Sequence, residues 1–109
     1  MERLVKGDII ILPFPFSDLS STKKRPALII STPKGDDVLL AQITSKTNLN
    51  NYSIPISNYF EKGSLPSESF VKINKLFSAD KSIILYKKGR LNKKKIKEIE
   101  KQLIKLIKA

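Results

Sequence analysis

The sequence predicts a mainly β domain, a small barrel or sandwich, carrying one C-terminal helix. Three observations lead there. Short apolar runs rich in β-branched residues follow one another with glycine and proline between them; the hydrophobic spacing becomes helical after Leu91; and 109 residues leave room for one core and no second domain. A composition of 40% hydrophobic and 28% charged residues is that of an ordinary folded chain rather than a disordered one.

Asp8-Ile-Ile-Ile-Leu12, bounded by Gly7 and Pro13, reads as a buried first strand that stops at the prolines. Pro13-Phe14-Pro15-Phe16 is extended, because prolines at alternate positions forbid helix, and a loop follows from Asp18 to Lys24. Pro26 to Ser31 is the second strand, with proline at its first position, where a missing N–H is tolerated. Thr32-Pro33-Lys34-Gly35-Asp36 supplies turn chemistry, and Asp37 to Ile43 returns as the third strand of a hairpin. Thr44 to Asn51 is polar and irregular. A weaker strand spans Tyr52 to Ile56, marked as an edge by Pro55. Asn58 to Ser67 reads as a loop or short helical turn, Ser69 to Phe77 as a longer alternating strand, and Ser82 to Tyr86 as the last strand. Ile96, Ile99, Leu103 and Leu106-Ile107 then fall on one helical face, with Asn92 as N-cap and Leu91 set to meet Ile96 as a hydrophobic staple. Lys93, Lys94 and Lys95 crowd the first turn of that helix, where the positive end of the dipole disfavours them.

The chain has no histidine and no cysteine. That removes imidazole-assisted nucleophiles, paired-imidazole acid–base catalysis, His and Cys metal ligands, and disulfides. Catalysis here must use Arg, Lys, carboxylate, hydroxyl or backbone groups, and no cofactor is expected. No apolar run approaches the roughly 18 residues of a membrane span, and the first residues lack the apolar stretch of a signal peptide. A cytoplasmic protein that spans no membrane is therefore expected. The net charge is +11, and residues 86–109 hold ten Lys or Arg against two Glu. Such asymmetry points to a polyanionic partner: nucleic acid, an anionic membrane face or an acidic protein segment.

One stretch stands out: Asp18-Leu-Ser-Ser-Thr-Lys-Lys-Arg-Pro-Ala-Leu-Ile-Ile-Ser31. Arg25 closes a run of three cations at the mouth of the second strand, with three hydroxyl side chains just upstream and Pro26 stiffening the backbone behind it. A guanidinium is always charged and offers a planar fork of donors, which suits a phosphate. The ordinary reading of a lone arginine at a strand end is a salt bridge or a solvated charge.

Gly7-Asp8, Lys24-Arg25-Pro26-Ala27-Leu28, Gln42-Ile43-Thr44-Ser45, Gly63-Ser-Leu-Pro66, Ser69-Phe-Val-Lys72, Asp80-Lys81 and Lys88-Gly-Arg-Leu91 occur in an order and spacing that resemble the MazF/PemK family of toxins from bacterial toxin–antitoxin modules. The resemblance implies an SH3-like β-barrel with an appended helix, a homodimer, and a sequence-specific endoribonuclease that cuts single-stranded RNA such as mRNA without a metal. It implies attack by a ribose 2′-hydroxyl on the adjacent phosphorus, leaving a 2′,3′-cyclic phosphate and a 5′-hydroxyl. It also implies a cognate acidic antitoxin as inhibitor, with DNA contacted only through that antitoxin. By the same resemblance Arg25 and Thr44 are the catalytic pair, and Ser20 or Ser21 helps to bind RNA. The loop from Asp18 to Lys24 departs from many members in having no glycine.

Around that pair, Lys24 and Lys88 are candidate phosphate contacts and Asp18 a candidate base, although acids beside cations more often form plain ion pairs. Phe14, Phe16 and Tyr52 are candidates to stack bases, with core packing the usual fate of the two phenylalanines. Lys87, Lys88, Arg90 and Lys93 to Lys95 form either a phosphate track or a solvated charged face. Two other functions use the same barrel. A CcdB-like gyrase poison acts through protein contacts and a Trp-containing C-terminus, whereas this chain has no Trp. A non-catalytic RNA-binding barrel holds RNA and never cuts it.

Overall fold

The computed structural model describes residues 3–14, 23–45 and 50–109, the Phe14 side chain excepted. In chain order the described elements are β1 (Asp8–Phe14), β2 (Lys23–Ser31), β3 (Asp37–Thr44), β4 (Ser53–Pro55), β5 (Phe60–Gly63), β6 (Phe70–Asp80), a 3-10 turn (Lys81–Ile83), β7 (Tyr86–Leu91) and α1 (Lys93–Ile107). The seven strands form a single antiparallel sheet in the order β4-β6-β3-β2-β1-β7-β5. One continuous sheet rules for the barrel over the sandwich.

The sheet rolls into a half-barrel, and a short connector ties its two ends together. Ile56 N donates to Ser69 O beside β6, while three residues later Tyr59 O accepts from Asn92 N just past β7. Buried side chains fill both faces. On one, Ile9, Leu28, Ile43, Val71 and Leu91 pack under Ile99 and Leu103 of α1. On the other, Ile10, Leu12, Ala27, Ile29 and Leu40 are joined by Ala79 and Ile84, with Leu4 and Phe77 against them. Strands buried on both sides read as unbroken apolar runs, which is why Ile9-Ile10-Ile11-Leu12 carries no polar alternation.

α1 starts where the sequence places it. The Asn92 side chain accepts from Lys95 N at 2.8 Å, and Ile96 packs on the cluster that contains Leu91. β2 and β3 form the expected hairpin, and β4 is indeed an edge.

Several boundaries differ from expectation: β3 takes in Thr44, β4 is shorter at Ser53–Pro55, and β6 runs on to Asp80. β1 runs through Pro13 to Phe14, because beyond Ile11 it pairs with β2 alone and a residue without an N–H costs no second ladder. β2 opens at Lys23, so Arg25 lies within the strand, opposite Leu12, rather than at its mouth. The expected loop from Asn58 contains β5, whose Gly63 at φ 69° lies against Gly89 of β7. The last strand is Tyr86–Leu91 rather than Ser82–Tyr86. There the Asp80 carboxylate accepts from Ser82 N at 2.8 Å and winds the chain into a 3-10 turn first.

Candidate active site

Cross-strand register builds the site. Leu12 lies opposite Arg25. Ala27 lies opposite Gln42 and Leu28 opposite Ala41, and two residues beyond the Ala27–Gln42 pair the strands carry Arg25 and Thr44, the last residue of β3. Gln42 in turn faces Lys72, and Thr44 faces Phe70. Opposed residues of an antiparallel pair share a face, and so do alternate residues of one strand. Arg25, Gln42, Thr44 and Lys72 therefore project from the same side of the sheet as Leu12 and Ala27.

Arg25 and Thr44 both line two neighbouring depressions at this end of the sheet. The smaller, about 90 Å³, is shared with Gln42, Lys72, Leu12 and Phe77. The larger, about 520 Å³, adds Lys24, Ser45, Tyr86 and Lys88, with Leu65-Pro66-Ser67 forming its far wall. Arg25 and Lys24 are exposed and Thr44 is half-buried. Among the described residues no carboxylate lines either depression. Two flexible ammonium groups and a guanidinium beside a hydroxyl make the larger one a receptor for an anion with several oxygens.

Lys88 reaches the cleft through a β-bulge. Ile9 pairs with Gly89 but Ile10 with Lys87, which leaves Lys88 as the extra residue. The bulge also brings Lys87 and Arg90 onto the face of Asp8. The Asp8 side chain is wholly buried; its Oδ1 takes Arg90 Nε at 2.8 Å, and its Oδ2 takes Lys87 Nζ at 3.1 Å and Val5 N at 2.8 Å. Lys95 is buried as well, 2.7 Å from Glu98 and over the Tyr59 ring at 4.0 Å from its centroid. Of the basic residues in β7 and the first helical turn, three thus hold the fold together and Lys88 lines the cleft.

The structure brings Arg25, Thr44, Lys24 and Lys88 together. Ser20, Ser21, Asp18 and Phe16 lie outside the described residues, as does the Phe14 side chain. Tyr52 is exposed and lines neither depression. Gln42, Lys72 and Tyr86 join the site without having been singled out for it. Lys72 had a signal, a cation in an alternating strand, but only the β3–β6 register shows that it meets Gln42.

None of the curated proteins matches the chain in sequence. Among solved structures it is similar to a MazE–MazF structure from Deinococcus radiodurans, at 19% identity and a TM-score of 0.73 over 94% of this chain and 93% of that one. It is also similar to an endoribonuclease from a mycobacterial species, at 16% identity and a TM-score of 0.72 over 98% and 93%. A structure of such an endoribonuclease with its cognate antitoxin, also mycobacterial, gives 16% and 0.72 over 96% and 95%. At these identities the likeness is one of fold, the half-barrel with its C-terminal helix. The sequence itself goes further: residues 5–107 match the family described as PemK-like, MazF-like toxins of type II toxin–antitoxin systems, and the chain belongs to that family.

Proposed function

We propose that this toxin is an endoribonuclease that cleaves single-stranded RNA without a metal, with Arg25 and Thr44 at the reacting phosphate. The observation that carries the reading is their placement: a guanidinium and a hydroxyl on adjacent strands, on one face, lining a cleft with Lys24 and Lys88. In the reaction the substrate's 2′-oxygen bonds to phosphorus and loses its proton, the bond from phosphorus to the 5′-oxygen breaks, and that oxygen takes up a proton. The products are a 2′,3′-cyclic phosphate and a 5′-hydroxyl. Charge grows on the two non-bridging oxygens along the way, and a fixed guanidinium stabilises it most where water is excluded. Thr44 orients one of these oxygens or the leaving oxygen. Nothing in this scheme calls for the imidazole that the chain lacks.

The test is incubation of purified protein with a long RNA in chelator, followed by mapping of both new ends. Cleavage should persist in chelator, and Arg25→Ala should lower the rate by about 100-fold or more, the usual loss on removing one oxyanion-stabilising donor. Cleavage that requires magnesium, or that continues undiminished in Arg25→Ala, refutes the assignment.

The same reading extends to partners. An acidic antitoxin segment is attracted by the charge of +11 and blocks the cleft. A second copy of the chain covers exposed apolar residues such as Leu76 and Leu85, and sedimentation of the free protein as a dimer would support that.

A further inference from the structure

The cleft around Arg25 continues past Leu65, Pro66 and Ser67 into a second concavity whose chemistry is different. Those three residues line both. Beyond them the walls are Tyr59, Asn58, Pro55 and Glu68, and no lysine or arginine is among its described lining residues. In a chain of net charge +11, an acid facing a groove with no cation beside it is unexpected. A phosphate has no reason to sit there. A nucleobase does.

We infer that this concavity is a nucleobase subsite, in which a base flanking the scissile linkage stacks on Tyr59 and presents its polar edge to Asn58 and Glu68. The inference rests on the proposed RNA cleavage. Tyr59 is anchored through its backbone, whose N donates to Ile56 O at 3.0 Å and whose O accepts from Asn92 N at 2.7 Å, so the ring is presented from a fixed point. The residue is 39% exposed, and the Lys95 ammonium that sits over its ring lies outside the groove lining. Glu68 and Asn58 make no hydrogen bond or ion pair through their side chains with the described residues, so their polar atoms remain available. The wall between them is fixed by Ser57 Oγ, which accepts from Ser69 N at 2.7 Å, and by Ser69 Oγ, which donates to Ser67 O at 2.8 Å.

The residue types narrow the ligand further. A carboxylate accepts hydrogen bonds and repels acceptors, so Glu68 favours a base with an exocyclic amino group on its pairing edge. Cytosine, adenine and guanine qualify, and uracil, with a single N–H between two carbonyls, fits worst. Arg25, Lys24 and Lys88 then hold the backbone while Tyr59, Asn58 and Glu68 read one position at a fixed offset from the cut.

Two measurements test this, one of which does not depend on cleavage. Binding of short C-only and U-only RNA oligonucleotides to Arg25→Ala should favour C, and adding Glu68→Gln should shrink that preference several-fold, since an amide can donate to uracil carbonyls. In the cleavage assay Glu68→Gln should change base frequencies at one position relative to the cut and leave the others alone. Tyr59→Ala should lower kcat/KM by about 5- to 150-fold, mainly through KM, as loss of one base–aromatic stack does. Tyr59→Phe, which keeps the ring, should restore it. Equal C and U binding in all variants, or unaltered cleavage sites in Glu68→Gln with unaltered kcat/KM in Tyr59→Ala, overturns the subsite. Absence of RNA cleavage by the wild type, with the C preference intact and dependent on Glu68, overturns the catalytic reading and leaves the subsite standing.

Discussion

Arg25 and Asp8 show how differently two charges are used in one small sheet. Arg25 is exposed and lines both depressions, and at a phosphate site as proposed the shape of its charge is what matters. A lysine at that position keeps the charge but loses the planar fork. Arg25→Lys should therefore bind RNA nearly as well as wild type and cut it at least ten-fold more slowly, a split visible as a fall in kcat with KM little changed. Thr44→Ser should keep most activity where Thr44→Ala does not. Asp8 is wholly buried and serves stability, joining the start of β1 to β7 through Lys87 and Arg90. Breaking a fully buried pair costs about 3–5 kcal/mol, and because both cations here keep some access to water, Asp8→Ala should cost less, about 2–3 kcal/mol by urea unfolding.

At the scale of elements, the ends of the helix and of the 3-10 turn carry the sharpest expectations. Asn92→Ala removes the acceptor for Lys95 N and should destabilise by about 1 kcal/mol. Gly7 has φ 93° and sits under the Ile96 side chain of α1, so any β-carbon there meets both backbone strain and the helix; Gly7→Ala should lower Tm more than Asn92→Ala does. The Asp80 carboxyl is held below its ordinary value of 3.8, first by the hydrogen bond from Ser82 N and then by the Ser82 side chain, with desolvation opposing them and Lys81 adding to them. A lowered folded-state pKa stabilises above the unfolded value and is lost as pH falls through the folded one. The Tm difference between wild type and Asp80→Ala should thus be full at neutral pH and shrink below about pH 3.8.

Across the whole molecule, the proposed RNA binding has charge setting affinity while only part of that charge touches the ligand. Ten of the 21 basic residues lie in residues 86–109, yet Lys87, Arg90 and Lys95 are committed to Asp8, Glu61 and Glu98. If Lys24, Arg25 and Lys88 are the phosphate contacts, log affinity for single-stranded RNA should fall against log salt with a slope of about −2, at roughly 0.7 per contact. Lys88→Ala should flatten that slope by about 0.7. Lys95→Ala should lower stability and leave the slope as it was.

The chain by itself determined the elements whose signals are local. Short apolar runs marked β1 to β3, proline placed β4 at an edge, and Asn92 with the spacing of Ile96, Ile99 and Leu103 fixed α1. Short motifs pointed to Arg25 and Thr44 as candidates, and both line one cleft. What tertiary structure decided depends on which strands meet. Register put Arg25 and Thr44 on one face and Lys72 beside Gln42; a one-residue bulge sent Lys88 to the cleft and Lys87 and Arg90 to a buried aspartate. β5 escaped a sequence reading because Phe60-Glu-Lys-Gly63 has no pattern of its own and exists as a strand only against β7. Identical lysines in one basic run thus acquire opposite surroundings, since a cation's place is fixed by its neighbours across the sheet, and those neighbours are remote in sequence.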